Sequence, residues 1–282
     1  MIALLEYGGY WLYSFVARIF PVRILYRAAD GIGYMVSVFT GKDCRRRAAI
    51  IRKIYGERIT VRESARLVRR NMQFFNRELV DFFRAGRLSR DELLNMVYID
   101  GLCYLDEALK KGRGVILVSA HLSSWEMAGI TLALRGYPIY GMVWDSRNKP
   151  LAGLMNKIRL KSGLRIVKNT SLKTILRLLQ KNAVIGIMLD IGGGGKGVPF
   201  SPWGIPVRLP RGPAVLSRMS GAEILTGAML RENDLHYRFK IEKTKMSGTE
   251  EKITIDLFSA LKKNMEKYPA QWHWISYFFD AH

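Results

Sequence analysis

His121 and Glu126 stand five positions apart in the stretch Val115-Ile-Leu-Val-Ser-Ala-His-Leu-Ser-Ser-Trp-Glu126. A histidine with a carboxylate to orient it is the minimal apparatus for general-base chemistry. The acid fixes the tautomer through one ring nitrogen, and the other nitrogen takes a proton from a hydroxyl. Within one helix the two side chains would lie about 140° apart and would not meet. With His121 on a loop and Glu126 in a first helical turn, the chain can bring them together. Ser123-x-x-Glu126 is equally a capping box, in which Glu126 closes a helix end and His121 is an ordinary loop histidine.

The elements around this pair favour a strand-loop-helix unit. Val115–Ser119 is a short apolar, β-branched run of the kind buried on both faces of a parallel sheet. Ser123 and Ser124 are good N-cap residues, and Trp125–Leu134 carries helical spacing. His121 then sits just past the carboxyl end of a strand, where open α/β sheets place their ligands. Asp190 follows a second such run, Val184–Leu189, and Arg147 follows a third, Ile139–Val143. Arg159 falls on the next helical stretch, Leu151–Lys161. Arginines on such a rim suit phosphate recognition by bidentate bonds. Gly192-x-Gly194-x-x-Gly197 formally matches a dinucleotide fingerprint, but Val198-Pro-Phe-Ser-Pro-Trp is no helix to receive a pyrophosphate. Gly197 after Lys196 likewise breaks a phosphate-loop pattern.

These residues resemble the His-x4-Asp/Glu motif of glycerolipid acyltransferases. They are closer to the late acyltransferases of lipid A biosynthesis, which are related to phosphatidylinositol mannoside acyltransferases. Asp190-Ile-Gly-Gly-Gly-Gly-Lys196-Gly-Val-Pro-Phe200, Pro210-Arg-Gly-Pro-Ala214 and Tyr268-Pro-Ala-Gln-Trp-His-Trp274 resemble further motifs of that family, in order, over most of the chain. The departures are Ser201–Trp203, Arg211 and Thr226-Gly-Ala, near where an acceptor should bind. The resemblance implies transfer of an acyl group from acyl-acyl carrier protein, or acyl-CoA, to a hydroxyl of a lipid A precursor or related phosphoglycolipid. It implies His121 and Glu126 as catalytic residues, and Arg147, Arg159, Asp190 and Lys196 as substrate-binding residues. A phosphatidylinositol mannoside or a lysophospholipid is the alternative acceptor. No metal or redox cofactor is implied, and His236, His273 and His282 show no ligand spacing. Trp272 and Trp274 read as core packing.

Composition bounds the partners. Of the 282 residues, 45 are Lys or Arg and 24 Asp or Glu, a net charge of +21. The partner is therefore anionic: a membrane surface, a nucleic acid or an acidic substrate. Arg58, Arg62, Arg66 and Arg69 recur at helical spacing within a one-signed run from Arg45 to Arg70. No nucleic-acid-binding motif accompanies them, so the class of alternative is a non-catalytic basic protein bound to membrane or nucleic acid. Residues 2–20 are rich in apolar and aromatic side chains. A span needs roughly 20 apolar residues, so the segment is a borderline anchor or an interfacial helix. The resemblance implies the cytoplasmic face of an inner membrane, with this segment as a peripheral contact or a single anchor. The two cysteines, Cys44 and Cys103, make no ligand or disulfide pattern.

The expected fold is α/β, with a mainly parallel or mixed sheet flanked by helices. Further strands are expected at Leu164–Val167, Ile224–Met229 and Tyr237–Lys243, the last two as a hairpin. Further helices are expected at Ser171–Gln180, Pro213–Met219 and Ile253–Lys267. Residues 1–40 form a membrane-facing helical segment. Residues 41–282 form one acyltransferase domain, with a helical lead-in over 41–112 that includes Val61–Arg84 and Arg90–Leu109, and an α/β core over 113–282.

Overall fold

The computed structural model describes residues 2–17, 19–144, 148–191, 194–244 and 247–273. The amino-terminal part is helical: α1 (Ile2–Val16), α2 (Val22–Phe39), α3 (Gly41–Tyr55), α4 (Val61–Ala85) and α5 (Arg90–Met96). Strands and helices then alternate as β1 (Val97–Asp100), α6 (Leu102–Leu109), β2 (Val115–Ser119), α7 (Trp125–Leu134), β3 (Ile139–Val143), α8 (Lys149–Lys161), β4 (Arg165–Lys168), α9 (Leu172–Gln180) and β5 (Val184–Met188). The chain continues through β6 (Val198–Phe200), β7 (Val207–Leu209), α10 (Gly212–Ser220), β8 (Glu223–Arg231), β9 (Tyr237–Lys243) and α11 (Glu250–Lys267).

Seven strands form one sheet in the order β1-β9-β8-β2-β5-β3-β4. The five from β8 to β4 are mutually parallel, and β8 and β9 are antiparallel. The turn of that hairpin is held by Asn233, whose side-chain oxygen accepts from the N–H groups of Leu235 (3.0 Å) and His236 (3.1 Å). Strand alternation gives the sheet two apolar faces. Ile116 and Val118 of β2 join one core with Leu179, Leu216, Leu257 and Phe258. Val115 and Leu117 join the other with Phe83, Met127, Ile130 and Phe239. With both faces covered, the central strands read as continuous apolar runs, which is why their limits are legible from sequence.

The long helix α4 touches both cores, through Val68 on one side and Val80, Phe82 and Phe83 on the other. Thr60 and Glu63 close its start with a capping box. Against it lies α2, at a crossing that only glycine permits: a Cβ on Gly33 would meet the Gln73 Cα at 2.7 Å. Tyr26 of α2 donates to Asp81 (2.6 Å), which is ion-paired to Arg231 of β8 (2.5 Å). This buried trio fastens the amino-terminal helices to the sheet. On the outer side of α1 and α2, Trp11, Leu12, Phe15, Ile24, Met35 and Phe39 are exposed. Among the described residues, no helix is long and apolar enough to cross a membrane.

Two features differ from the expected elements. Arg90–Leu109 is not one helix: Val97–Asp100 leaves it to pair in parallel with β9. The chain turns from this strand into α6 at Gly101, where φ is +80° and a Cβ would lie 2.1 Å from the Ile241 carbonyl oxygen. The segment after Asp190 holds an additional two-stranded antiparallel ribbon, β6 and β7.

Candidate active site

Because β2 and β5 are parallel neighbours with Ser119 opposite Met188, both chains leave the sheet on the same rim. Two positions further on, His121 and Asp190 are thereby brought side by side. His121 Nδ1 lies 2.8 Å from Asp190 Oδ1, and the His121 backbone N–H donates to Asp190 Oδ2 at 2.9 Å. The same Oδ2 accepts from the Trp272 indole N–H at 3.0 Å. Asp190 is 1% exposed. Burial alone would raise its pKa; the His121 charge and the donated bonds outweigh burial and hold the carboxyl below its ordinary value. An ionised Asp190 accepts from Nδ1–H, which leaves Nε2 as the proton acceptor.

The loop that carries His121 is clamped by a distant segment. Leu122 bridges Trp272, Ser123 N–H donates to the Gln271 carbonyl (2.7 Å), and His273 N–H donates to the His121 carbonyl (2.9 Å). That segment is itself anchored. The Gln271 side chain exchanges two bonds with the Arg231 backbone (2.8 and 3.0 Å). Asn71 of α4 donates to the carbonyls of Ala270 (3.1 Å) and Trp272 (2.5 Å). The Trp125 ring stands between two imidazoles, edge-on to His121 at 4.7 Å and to His273 at 5.1 Å. His273 in turn pairs with buried Glu78 at 2.8 Å.

Glu126 does not orient His121. It lies in the first turn of α7 and faces α8, with Trp125 packed on the imidazole instead. Arg159 grips its carboxylate with both edges of the fork, Nε to Oε2 at 2.9 Å and Nη2 to Oε1 at 2.5 Å, and donates from Nη1 to Asn156 at 2.7 Å. The capping box is absent too: Ser124 is the N-cap without a side-chain bond, while Ser123 has a positive φ of 49°. Asp190 supplies the carboxylate that the sequence assigns to Glu126. Both of its oxygens are engaged within the protein and its side chain is buried.

The Arg159–Glu126 pair has a measurable consequence. Arg159→Ala leaves a nearly buried carboxylate without its counter-charge and should cost ~3–5 kcal/mol in denaturant unfolding. The double replacement Glu126→Leu with Arg159→Met should recover most of that loss. If Arg159 also recognises an acceptor phosphate, the double variant keeps a raised acceptor KM although its stability is restored.

An apolar cavity of about 350 Å³ opens between α7, α8 and the sheet. Leu117, Ala128, Ile139, Leu164 and Phe239 are among its walls, and His121, Glu126 and Arg159 are among its polar groups. Gly141 and Gly186 form part of it as residues without side chains. Lys196 is exposed on a single 3₁₀ turn, Gly194–Lys196, and does not line this cavity. Arg147, Gly192, Gly193 and Trp274 lie outside the described residues. No group of three His, Cys, Asp or Glu side chains among the described residues could hold a metal.

The model of the bacterial lipid A biosynthesis acyltransferase family matches residues 2–279. The lipid A biosynthesis palmitoleoyltransferase of Escherichia coli (strain K12) is 25% identical over 277 residues, covering 94% of this chain and 90% of that protein. A lipid A biosynthesis acyltransferase of Shigella flexneri is similar to the same extent. The phosphatidylinositol mannoside acyltransferase of Mycobacterium tuberculosis (strain H37Rv) is 25% identical over 211 residues, covering 72% of this chain and 67% of that protein.

Proposed function

Because the chain belongs to the bacterial lipid A biosynthesis acyltransferase family, we propose that it transfers a fatty acyl group from a thioester to a hydroxyl of a membrane glycolipid, with His121 as base. The observation that carries this reading is the His121–Asp190 pair, its carboxylate buried and its imidazole bordering an apolar cavity. His121 Nε2 removes the proton as the acceptor oxygen forms its bond to the thioester carbonyl carbon. Asp190 stabilises the imidazolium. The tetrahedral adduct then breaks its carbon–sulfur bond, and the departing thiolate takes the proton from His121. The hydroxyl itself is the nucleophile, so no enzyme nucleophile is needed. The cavity between α7 and α8 receives the acyl chain.

The donor is acyl-acyl carrier protein, an acidic partner suited to a chain of +21; acyl-CoA carries the same thioester. A lipid A precursor or related phosphoglycolipid is the first acceptor reading. The mycobacterial relative supports a phosphatidylinositol mannoside as the second. Arg147, Arg159 and Lys196 are the candidates for the acceptor's phosphate groups. Lipid mass spectrometry of cells with and without the protein tests the reading: a glycolipid should lose the mass of one acyl chain in its absence. An unchanged lipid profile, with no transfer from either thioester by the purified chain, would refute it.

The enzyme lies in the interface at the cytoplasmic face of the inner membrane, a reading supported by the exposed apolar face of α1 and α2. Arg58, Arg62, Arg66 and Arg69 are all exposed, and Arg69 stacks over the exposed Tyr34 ring of α2 at 5.0 Å. Near an anionic leaflet each basic side chain contributes ~1 kcal/mol. Binding to anionic vesicles should therefore weaken with salt and with reversal of these four arginines to glutamate. Sedimentation that changes with neither would remove the stripe from the account.

A further inference from the structure

Phe75, Glu78, Leu79 and Phe82 recur at helical spacing on one face of α4, so a carboxylate interrupts an otherwise apolar stripe. That stripe does not close against its neighbours. It walls a second apolar cavity of about 150 Å³, which Tyr10 of α1 also lines. Trp125, Glu126, Leu151 and Met155 border this cavity and the larger one alike. Glu78 is 5% exposed. Its Oε2 is taken by His273, while its Oε1 is buried and has no hydrogen-bond partner among the described residues. A buried carboxylate oxygen without a donor carries its desolvation cost unrelieved.

We propose that this second cavity binds an apolar tail of the acceptor lipid, and that Glu78 Oε1 accepts a hydrogen bond from a hydroxyl or amide N–H on that tail. The inference rests on the acyl-transfer reading above. Transfer between two lipids requires two chains in place together. The larger cavity reaches His121 and takes the reacting acyl chain. The smaller lies behind the Trp125 and Glu126 wall, and α1, which helps enclose it, carries the exposed Trp11, Leu12 and Phe15. A tail leaving a lipid surface thus meets this opening first. The space suits a short segment only, since an apolar cavity of ~150 Å³ accommodates a ligand of about benzene's size. The bound donor group would complete the chain from Glu78 through His273 to Trp125, the ring against which His121 packs.

The test uses 1-hexanol, which can donate a hydrogen bond, and 1-methoxyhexane, which cannot. Calorimetric titration of the full-length chain should show one site that prefers the alcohol by about ten-fold or more, the effect of one bond to a charged acceptor. Leu79→Trp fills the cavity and should abolish that site. Glu78→Gln preserves the shape but offers an amide, and should erase or invert the preference. The acceptor KM for a membrane glycolipid extract should rise several-fold in Leu79→Trp, with the donor KM unchanged. If acyl transfer proceeds while the alcohol preference is missing, or is indifferent to both variants, the proposal is overturned and the enzymatic reading stands. If the probes behave as expected but no transfer occurs with any thioester, the site is real and the enzymatic reading has failed. Should Leu79→Trp not fold, Glu78→Gln decides alone.

Discussion

A His121→Ala variant should fold normally and lose acyl transfer by about 10⁴-fold in kcat, the upper range for a general base. Among the described residues the imidazole makes one side-chain hydrogen bond, to Asp190 Oδ1, and one ring contact, to Trp125 at 4.7 Å, so the loss falls on these two contacts. Asp190 keeps the His121 backbone N–H and the Trp272 indole at its other oxygen. The stability cost should stay within the ~1–3 kcal/mol of a buried acceptor left without one partner. Thermal melting and single-turnover kinetics on the same preparation check both parts. A folded variant that keeps near-normal turnover would dismiss His121 as the base.

Asp190→Asn should cost ~10²–10⁴-fold while keeping nearly the same shape, as in other carboxylate–histidine pairs. Oδ2 accepts two bonds, so the amide oxygen of asparagine takes that position. Its NH₂ then faces Nδ1 and forces the proton onto Nε2, which removes the base. Glu126→Gln lacks this effect and should leave the pH dependence of kcat/KM unchanged. The sign of the stability effect follows from the lowered Asp190 pKa. Its contribution is complete above the ordinary carboxylate range and is lost as pH falls through the depressed folded value. Acid unfolding should therefore be steeper in the wild type than in Asp190→Asn across that window.

Local pattern located each half of this pair but not their meeting. Val115–Ser119, Ile139–Val143, Tyr237–Lys243 and Trp125–Leu134 end where their apolar periodicity ends, and so His121 and Asp190 are legible as residues past strand ends. That β5 lies next to β2, with β3 beyond it, is a matter of crossover and strand order, which no local periodicity encodes. Glu126 was the nearest acid in sequence and drew the pairing; the bulk of Trp125 and the arginine on α8 redirect it. Trp272 reads as core and is fully buried, yet its one polar atom serves Asp190. The mixture of packing ring and indole donor leaves no trace in a hydropathy pattern. Strand β1 was hidden because four residues are too few to shift a helical periodicity, and Gly101 was the only local mark of the break.

The clamp of Gln271, Trp272 and His273 on the His121 loop bears on when the enzyme becomes an enzyme. A ribosome adds residues from the amino end, and the sheet's central strands β2, β5 and β8 are complete well before residue 271 is made. At that moment the nascent polypeptide holds the base and its aspartate, but not the peptide that fixes the loop or the indole that steadies the carboxylate. The order of synthesis thus separates the residues that make the His121–Asp190 pair from the residues that hold it in place.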